Sequence, residues 1–311
     1  MSLSIEQLEA CRSLLFVPAN EPRFISKAHR RGAGAIILDL EDSISPDQKE
    51  AVRGNLRPAA AELRRNGIAH VLVRINPGSA DDIDEAVSRD VDALVLPKVE
   101  SLDDLVWAHT AVSTAEQRSG LPDGHIRLLV LVETPAAVLN AASLAAHERV
   151  AALILGSEDL ALALGVEPTP DSLAYAASSI VFAARGHRKV PLGVPGSLAS
   201  IVDTGRFAQA VQHARHLGMA GTVCIHPKQV EAVSAAFAAT PEDYAQAQRV
   251  LAAFDEAQQA GKGAVMFEGK MLDLPIVERA RRVVAQRQEA SGDDRCTSAR
   301  NECNLQPRVK S

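Results

Sequence analysis

The stretch from residue 126 to residue 159 reads IRLLVLVETPAAVLNAASLAAHERVAALILGSED. Two short apolar runs, at 126–132 and 152–155, flank a segment with helical periodicity at 135–147. The runs show little alternation of apolar and polar residues, which is typical of strands covered on both faces of a parallel sheet. This stretch therefore predicts a strand–helix–strand unit in which both strands end in acidic residues.

The same unit recurs along the chain. Apolar runs followed by polar residues lie at 14–19, 35–40, 70–75, 93–97, 126–132, 152–155, 189–194 and 221–225. Eight strand–helix units predict an α/β protein with a single (β/α)8 barrel of the TIM type. A doubly wound open sheet is the structural alternative, but no G-x-G-x-x-G motif follows the first run.

The chain continues beyond the material that a barrel needs. We expect the barrel to occupy residues 1–235 and a C-terminal helical extension, or lid, to occupy residues 236–290. This extension contains a Gly-rich connection at 261–263 and a basic helix that begins at Pro275. From residue 291 onward the composition is polar without periodicity, so residues 291–311 are predicted to form a disordered tail.

Composition excludes several classes of protein. The chain has 311 residues, of which 47% are hydrophobic and 23% are charged, as in a soluble globular protein. The excess of acidic over basic residues, 39 against 33, disfavours a dominant role in nucleic-acid binding. No apolar run is long enough to span a bilayer. The four scattered cysteines and the polar N-terminus lead us to expect a reduced, cytoplasmic protein.

Two acidic residues end neighbouring predicted strands, and in a (β/α)8 barrel such ends converge on the catalytic face. Glu133 and Asp159 could bind one cation together, because adjacent strands lie about 4.8 Å apart. Carboxylate oxygens with open coordination positions suit Mg²⁺, which retains waters or takes substrate oxygens. The alternative is that both acidic regions cap the helices that follow them.

Arg74 stands at the end of an apolar strand, where an unpaired guanidinium would be costly. It could capture a substrate carboxylate in a bidentate manner, or form a structural ion pair with Glu41 or Asp42. Strand alternation directs Asp39 and Glu41 to one side and Asp42 to the other. We expect one of these sides to face the barrel mouth and the other to cap a helix.

Further polar residues near strand ends are open to two interpretations. His226 could act as a general base or could orient a loop. A basic set after the first strand could be a solvated helix face or a phosphate site. Its members are Arg23, Lys27, Arg30 and Arg31.

Eight short motifs resemble the citrate lyase β-subunit-like proteins of the wider HpcH/HpaI aldolase and citrate lyase family. They are RSLLFVPANEPRF from Arg12, ILDLEDS from Ile37, VRINP from Val73, VLPKVES from Val95, VETP from Val132, GSEDL from Gly156, CIHP from Cys224 and MLDLP from Met271. The match runs in order from about residue 12 to residue 280, which is most of the chain.

The resemblance implies a (β/α)8 barrel that assembles into trimers or hexamers. It also implies Mg²⁺-dependent cleavage of a 3-hydroxyacyl-CoA, such as citramalyl-, malyl- or citryl-CoA, into an acyl-CoA and a 2-oxo acid by retro-Claisen chemistry. By the same resemblance Glu133 and Asp159 are the Mg²⁺ ligands, and Glu133 also contacts substrate. Arg74 is the clamp on the oxo-acid carboxylate.

Four more residues take roles from the resemblance. Glu41 and Asp42 correspond to the acidic pair near the metal and its waters. Arg23 and Lys27 resemble contacts for the CoA phosphates. Asp273 resembles the acidic residue that the C-terminal segment of an adjacent subunit places over the site. The thioester enolate needs an acid to protonate it, and our hypothesis is that Asp273 of a neighbouring chain is this acid.

One departure from the family pattern concerns the loop after the seventh strand. Many relatives carry an Asp there, followed by an aromatic residue, whereas this chain reads GVPGSL from Gly193 to Leu198. We expect this loop to line the acyl side of the pocket.

Three functions remain open at this point. The leading hypothesis is the CoA-ester lyase, as a free-standing enzyme because the Asp273 segment is retained. The second is a CoA-independent 2-oxo-acid aldolase or oxaloacetate decarboxylase. The third is a non-catalytic scaffold or sugar-acid sensor.

Overall fold

The computed structural model describes residues 2–199, 203–259 and 265–285. The chain divides into two compact units, Met1–Phe237 and Ala238–Ser311. The boundary comes slightly later than the expected residue 235, because the helix Pro227–Phe237 continues past that point. The predicted Gly-rich connection at 261–263 and the predicted tail at 291–311 lie outside the described residues.

The first unit contains an eight-stranded parallel sheet. Its strands are β1 Ser13–Pro18, β2 Ala35–Asp39, β3 Val71–Arg74, β4 Ala93–Leu96, β5 Arg127–Val132, β6 Val150–Leu155, β7 Val190–Leu192 and β8 Thr222–Cys224. β1 pairs with both β2 and β8, and a parallel bridge between Leu192 and Gly221 joins β7 to the start of β8. The predicted barrel is therefore confirmed, and each predicted apolar run overlaps a strand, although β1 and β6 begin one and two residues before their runs.

Helices follow the strands around the barrel. They are α1 Ile5–Cys11, α2 Pro22–Ile25, α3 Lys49–Arg53, α4 Leu56–Arg65, α5 Ala80–Ala86, α6 Leu102–Arg118, α7 Pro135–Leu139, α8 Ala141–Ala146, α9 Ser157–Leu164, α10 Ala174–Gly186, α11 Thr204–Leu217 and α12 Pro227–Phe237. The predicted helical segment 135–147 is divided at Asn140, whose side-chain amide donates to the carbonyl of Glu100 at 2.8 Å. Asn commonly interrupts helices in this way, because its amide competes for backbone partners.

The barrel core explains the uninterrupted apolar runs of the sequence. All residues of β2, β4 and β6 are buried, so both faces of these strands are covered. Cys11 and Cys224 are buried free thiols, and burial raises the pKa of each to about 12. Cys224 thus belongs to the barrel core.

A buried ion pair ties α6 to the N-terminal ends of β5 and β6. Nη1 of Arg149 donates to both carboxylate oxygens of Glu116 at 2.9 Å, and these side chains are 2% and 0% exposed. The backbone N–H of Ile126 donates to the same carboxylate at 2.7 Å. Both oxygens of the Glu116 carboxylate therefore accept hydrogen bonds, and the pair lies at the end of the barrel opposite the strand C-termini.

The second unit has its own small core. It contains α13 Pro241–Gln259, an antiparallel pair of strands, β9 Val265–Phe267 and β10 Lys270–Leu272, and the helix α14 at 274–285. Phe254, Leu272 and Val277 belong to one buried cluster. In the described part of the chain no helix is long and apolar enough to cross a membrane.

Candidate active site

The C-terminal ends of the barrel strands surround a cavity of about 380 Å³. Charged groups in its lining come from β2, β3, β5 and α9 or from residues next to them, and apolar groups come from β1, β5, β6, β8 and the loop after β7. The charged members are Asp39, Asp42, Arg74, Glu133, Glu158 and Asp159, and the apolar members include Phe16, Leu131, Leu155, Leu198, Val223 and Ile225.

Glu133 and Asp159 converge on one cationic group, the ammonium of Lys98. Nζ of Lys98 lies 2.7 Å from Oδ2 of Asp159 and 3.6 Å from Oε1 of Glu133. The backbone N–H of Lys98 also donates to Glu133 at 2.7 Å. Lys98 has φ +55°, an unusual value for a residue with a side chain. Lys98 follows the predicted strand at 93–97, but nothing in the sequence indicates its contact with both acids.

Gly156 makes room for Glu133. A Cβ atom at Gly156 would lie 2.5 Å from Cβ and 2.9 Å from Oε2 of Glu133. Because carbon atoms do not approach so closely, a side chain at position 156 would displace the carboxylate. Glu133 is 4% exposed, so it has little space into which to move.

Arg74 is surrounded by three carboxylates. Its Nε and Nη2 donate to Oδ1 and Oδ2 of Asp39 at 2.6 and 2.7 Å, which is a bidentate pair. Nη1 lies 2.9 Å from a carboxylate oxygen of both Glu41 and Asp42. The guanidinium carbon also lies 4.6 Å from the ring centre of Phe16, a cation–π contact.

The expected division of the three acids between two faces is wrong. Asp39, Glu41 and Asp42 all contact Arg74, because β2 ends at Asp39 and the strand alternation ends with it. The backbone N–H groups of Glu41 and Ser43 fold back onto the Asp39 carboxylate at 3.0 and 3.3 Å. The structural ion pair considered for Arg74 is therefore present. Asp39 is its closest partner, since it accepts two hydrogen bonds from the guanidinium.

The protonation of this cluster follows from burial and charge. Burial raises the pKa of Glu41 to about 7; the charge of Arg74 opposes this, while the negative charges of Asp42, Glu133 and Asp39 add to it. Burial also acts on Asp39, but the hydrogen bonds and charge of Arg74 hold its pKa below the ordinary value. Glu41 is therefore the member of this cluster that titrates near neutral pH.

Burial and charge also act on the pKa values of Glu133 and Lys98. Burial raises the pKa of Glu133, although the backbone N–H and the charge of Lys98 oppose it. Burial acts to lower the pKa of Lys98, but the hydrogen bond to Asp159 and the charge of Glu133 raise it on balance. The ammonium of Lys98 is therefore charged at neutral pH.

Glu158 and Gln229 hold the loop that follows β7. Oε1 of Glu158 accepts hydrogen bonds from Ser197 Oγ at 2.6 Å and from the N–H of Leu198 at 2.9 Å. Nε2 of Gln229 donates to the carbonyl of Leu198 at 2.9 Å, and its Oε1 accepts from the N–H of Ile225 at 2.8 Å. These two positioning roles had no signal in the sequence, since they depend on contacts between distant loops.

Two roles were considered for His226, a general base and a residue that orients a loop, and its contacts favour the second. Its backbone N–H donates to Gln229 at 3.1 Å, and its Nδ1 accepts from the N–H of Lys228 at 3.2 Å.

Four residues predicted for the site do not line the cavity, and Glu41 is one of them. Arg23 and Lys27 lie exposed in and just after α2. Asp273 belongs to the second unit, where its Oδ1 accepts from the N–H of Ile276 at 3.2 Å at the start of α14. Their roles toward CoA and toward a neighbouring subunit remain predictions.

The donor set fits Mg²⁺. Within residues 2–199, 203–259 and 265–285, no group of three or more His, Cys, Asp and Glu side chains forms a complete metal cage. Glu133 and Asp159 instead offer oxygen atoms within 4 Å of one cationic position. One or two carboxylates, completed by waters and substrate oxygens, are the usual protein ligands of Mg²⁺.

A TIM barrel with an acidic pair, an arginine and a cavity at its C-terminal rim is the architecture of an enzyme. The sequence profile of the HpcH/HpaI aldolase/citrate lyase family matches residues 12–227. This chain belongs to that family, and it is a lyase.

Individual relatives cover nearly the whole chain. Citrate lyase subunit beta of Leuconostoc mesenteroides subsp. cremoris is 32% identical over 280 residues, which span 88% of this chain and 92% of the relative. A (3S)-malyl-CoA thioesterase of Cereibacter sphaeroides is 32% identical over 285 residues, with coverages of 90% and 95%. The crystal structure of CitE from Mycobacterium tuberculosis with magnesium, acetoacetate and coenzyme A superposes with a TM-score of 0.69 at 30% identity, covering 88% and 97% of the two chains.

Proposed function

We propose that this protein is a Mg²⁺-dependent carbon–carbon lyase that cleaves a 3-hydroxyacyl-CoA, of the citramalyl, malyl or citryl type, into an acyl-CoA and a 2-oxo acid. The observation that carries the proposal is the convergence of Glu133 and Asp159 on one cationic position at the rim that also holds Arg74. The relative that was crystallised with magnesium and coenzyme A supports the proposal that this chain binds both.

The reaction breaks the bond between the hydroxyl-bearing carbon and the carbon next to the thioester. The hydroxyl group loses its proton and becomes the carbonyl of the oxo acid, and the thioester half leaves as an enolate that gains a proton. When held by Glu133 and Asp159, Mg²⁺ would supply a Lewis acid that stabilises negative charge on the substrate oxygen. Glu133 and Asp159 would hold it with oxygen ligands only, which leaves coordination positions for substrate.

Arg74 would anchor the carboxylate of the oxo-acid half. Asp39 fixes the plane of the guanidinium through two hydrogen bonds, so little side-chain entropy is lost when substrate binds. The Nη1 contacts with Glu41 and Asp42 are the ones that a substrate carboxylate would replace. Because the pKa of Glu41 is about 7, a proton on Glu41 would reduce repulsion of an anionic substrate at neutral pH.

Two further roles follow from the family resemblance. Asp273 of a neighbouring subunit would protonate the thioester enolate as a general acid. Arg23 and Lys27 would contact the CoA phosphates, which agrees with their exposed positions after β1. The role of Asp273 requires a neighbouring subunit, and the role of Arg23 and Lys27 requires bound CoA. We propose that the protein forms a trimer or hexamer and that it is located in the cytoplasm.

A cleavage screen tests the proposal. Citramalyl-, malyl- and citryl-CoA are incubated with the protein with and without Mg²⁺, and the CoA products are identified by mass spectrometry. Cleavage of at least one ester that depends on Mg²⁺ is the expected result. Exchange of the methyl protons of pyruvate without any cleavage of a CoA ester would favour the 2-oxo-acid aldolase or oxaloacetate decarboxylase alternative. Absence of both activities would favour the non-catalytic sensor.

A further inference from the structure

Lys98 brings one positive charge to both members of the acidic pair. Its Nζ lies 2.7 Å from Oδ2 of Asp159 and 3.6 Å from Oε1 of Glu133. A metal ion that binds Oδ2 of Asp159 at about 2.1 Å would lie within about 5 Å of this ammonium. Two cations so close together repel each other, and the repulsion is stronger than in water because Glu133 is buried.

The main chain of Lys98 and the side chain of Glu133 are fixed, whereas the ammonium is not. The backbone N–H of Lys98 donates to Oε1 of Glu133 at 2.7 Å, and Gly156 closes the space on the other side of this carboxylate. The side chains of Lys98 and Asp159, by contrast, are 40% and 43% exposed. The ammonium can therefore leave the acidic pair while the backbone donor and Glu133 remain in place.

A second cavity gives the Lys98 side chain room to move. This cavity has a volume of about 250 Å³, and it lies between the loops that follow β3 and β4 and the helix α6. Its lining includes Asn76, Lys98 itself and Asp103, an exposed residue of α6. A carboxylate in this lining attracts an ammonium. A displaced Lys98 side chain would therefore reach solvent and an acidic residue, so its displacement does not bury an unpaired charge.

We infer that the ammonium of Lys98 competes with a divalent metal ion for Glu133 and Asp159, and that Lys98 thereby lowers the metal affinity of the site. Lys98 has to release Asp159 before both carboxylates can serve as metal ligands. This inference rests on the proposed function, since it concerns the metal site of that reaction. A purely structural Lys98 has the opposite effect, because its removal would let the two like charges separate and would weaken metal binding.

The test is a Mn²⁺ titration of the full chain followed by EPR, without any substrate. Lys98→Met removes the charge but keeps an unbranched side chain and the backbone N–H that holds Glu133. We expect this variant to bind Mn²⁺ about 10-fold or more tightly than wild type, because a like charge close to the metal is lost. Lys98→Arg keeps the charge and can still pair with Asp159, so it should bind Mn²⁺ no more tightly than wild type.

Lys228→Met is the matched control, since it removes an exposed lysine in the first turn of α12, at the same end of the barrel. It changes the net charge equally and should bind Mn²⁺ as wild type does. Lys98→Gln is neutral but can still donate to Asp159, so it repeats the test if Lys98→Met folds poorly. Unchanged or weaker Mn²⁺ binding by the neutral Lys98 variants would overturn the inference. Equal tightening in Lys98→Arg or in Lys228→Met would do so as well.

Urea unfolding provides a second measurement that needs no substrate. A given concentration of Mg²⁺ should raise the unfolding midpoint of Lys98→Met more than that of wild type, because tighter binding to the folded state stabilises it more. An equal or smaller increase would contradict the inference. If wild type binds Mn²⁺ and cleaves a CoA ester but the neutral variants bind the metal no more tightly, the inference alone fails. If wild type neither binds Mn²⁺ nor cleaves any ester, the proposed function fails with it.

Discussion

At the scale of single residues, Lys98 changes how the acidic pair is understood. Its ammonium lies within 4 Å of carboxylate oxygens from two different strand ends, so Glu133 and Asp159 face a common point instead of capping separate helices. Its positive φ directs both its backbone N–H and its side chain to Glu133. A strained residue at such a position is typical of functional sites.

Replacing Glu133 with Gln should weaken Mg²⁺ binding by about 100-fold or more, because loss of a direct carboxylate ligand costs at least as much as loss of an outer partner. Mn²⁺ titration followed by EPR measures this without any substrate. Glu148→Gln, an exposed acid that precedes β6, is the control and should bind metal as wild type does. Equal metal affinity in the Glu133 variant would contradict its assignment as a ligand.

Replacing Asp273 with Asn should reduce turnover by about 100-fold, the usual contribution of a general acid. Asn also accepts an N-terminal hydrogen bond, so α14 should still begin normally and metal affinity should stay as in wild type. Steady-state kinetics combined with Mn²⁺ titration distinguishes these effects. Full activity in this variant would remove the proposed acid role.

At the scale of secondary-structure elements, the barrel depends on contacts at the end away from the cavity. The Glu116–Arg149 pair joins α6 to the starts of β5 and β6, and Asp123, which is 73% exposed, contacts the same arginine at 2.7 Å. Removal of one member of a buried pair leaves the other charge uncompensated, which costs far more than loss of an exposed partner.

Glu116→Gln should therefore lower the free energy of unfolding by about 3 kcal/mol. Asp123→Asn, which removes the exposed partner of the same guanidinium, should lower it much less. Urea unfolding followed by circular dichroism measures both values. Equal stabilities of the two variants would show that burial does not govern this network.

At the scale of the whole molecule, the buried carboxyl of Glu41 reduces stability at neutral pH. Glu41 has a pKa of about 7 in the folded chain, against a model-compound value of 4.5. The folded state thus favours the protonated form, so its contribution to stability is complete below pH 4.5 and is lost as the pH rises through 7. The loss amounts to about 3 kcal/mol.

Glu41→Gln should abolish this loss, because an amide imitates the protonated carboxyl at every pH. We expect wild type and variant to have similar free energies of unfolding at pH 4.5 and the variant to be more stable at pH 8. Both are measured by urea unfolding in the presence of a chelator. A variant whose stability falls between these pH values as steeply as that of wild type would disprove the role of Glu41.

The sequence predicted the barrel because its signals are local. An apolar run covered on both faces, a polar strand end and a following helix can each be recognised within about 30 residues, and eight repeats of that unit allow few other arrangements. The rule that barrel strands end at the catalytic face then brought Arg74, Glu41, Asp42, Glu133 and Asp159 to one rim without any coordinates.

The choice of partners on that rim was decided by the tertiary structure alone. Lys98 and Asp159 are 61 positions apart, and Glu158 and Leu198 are 40 apart, so no periodicity relates them. The prediction for Asp42 failed because strand alternation holds only while the strand continues, and β2 ends three residues earlier, at Asp39. Side-chain pairing depends on distances of a few ångströms between separate loops, and these distances arise only when the barrel closes.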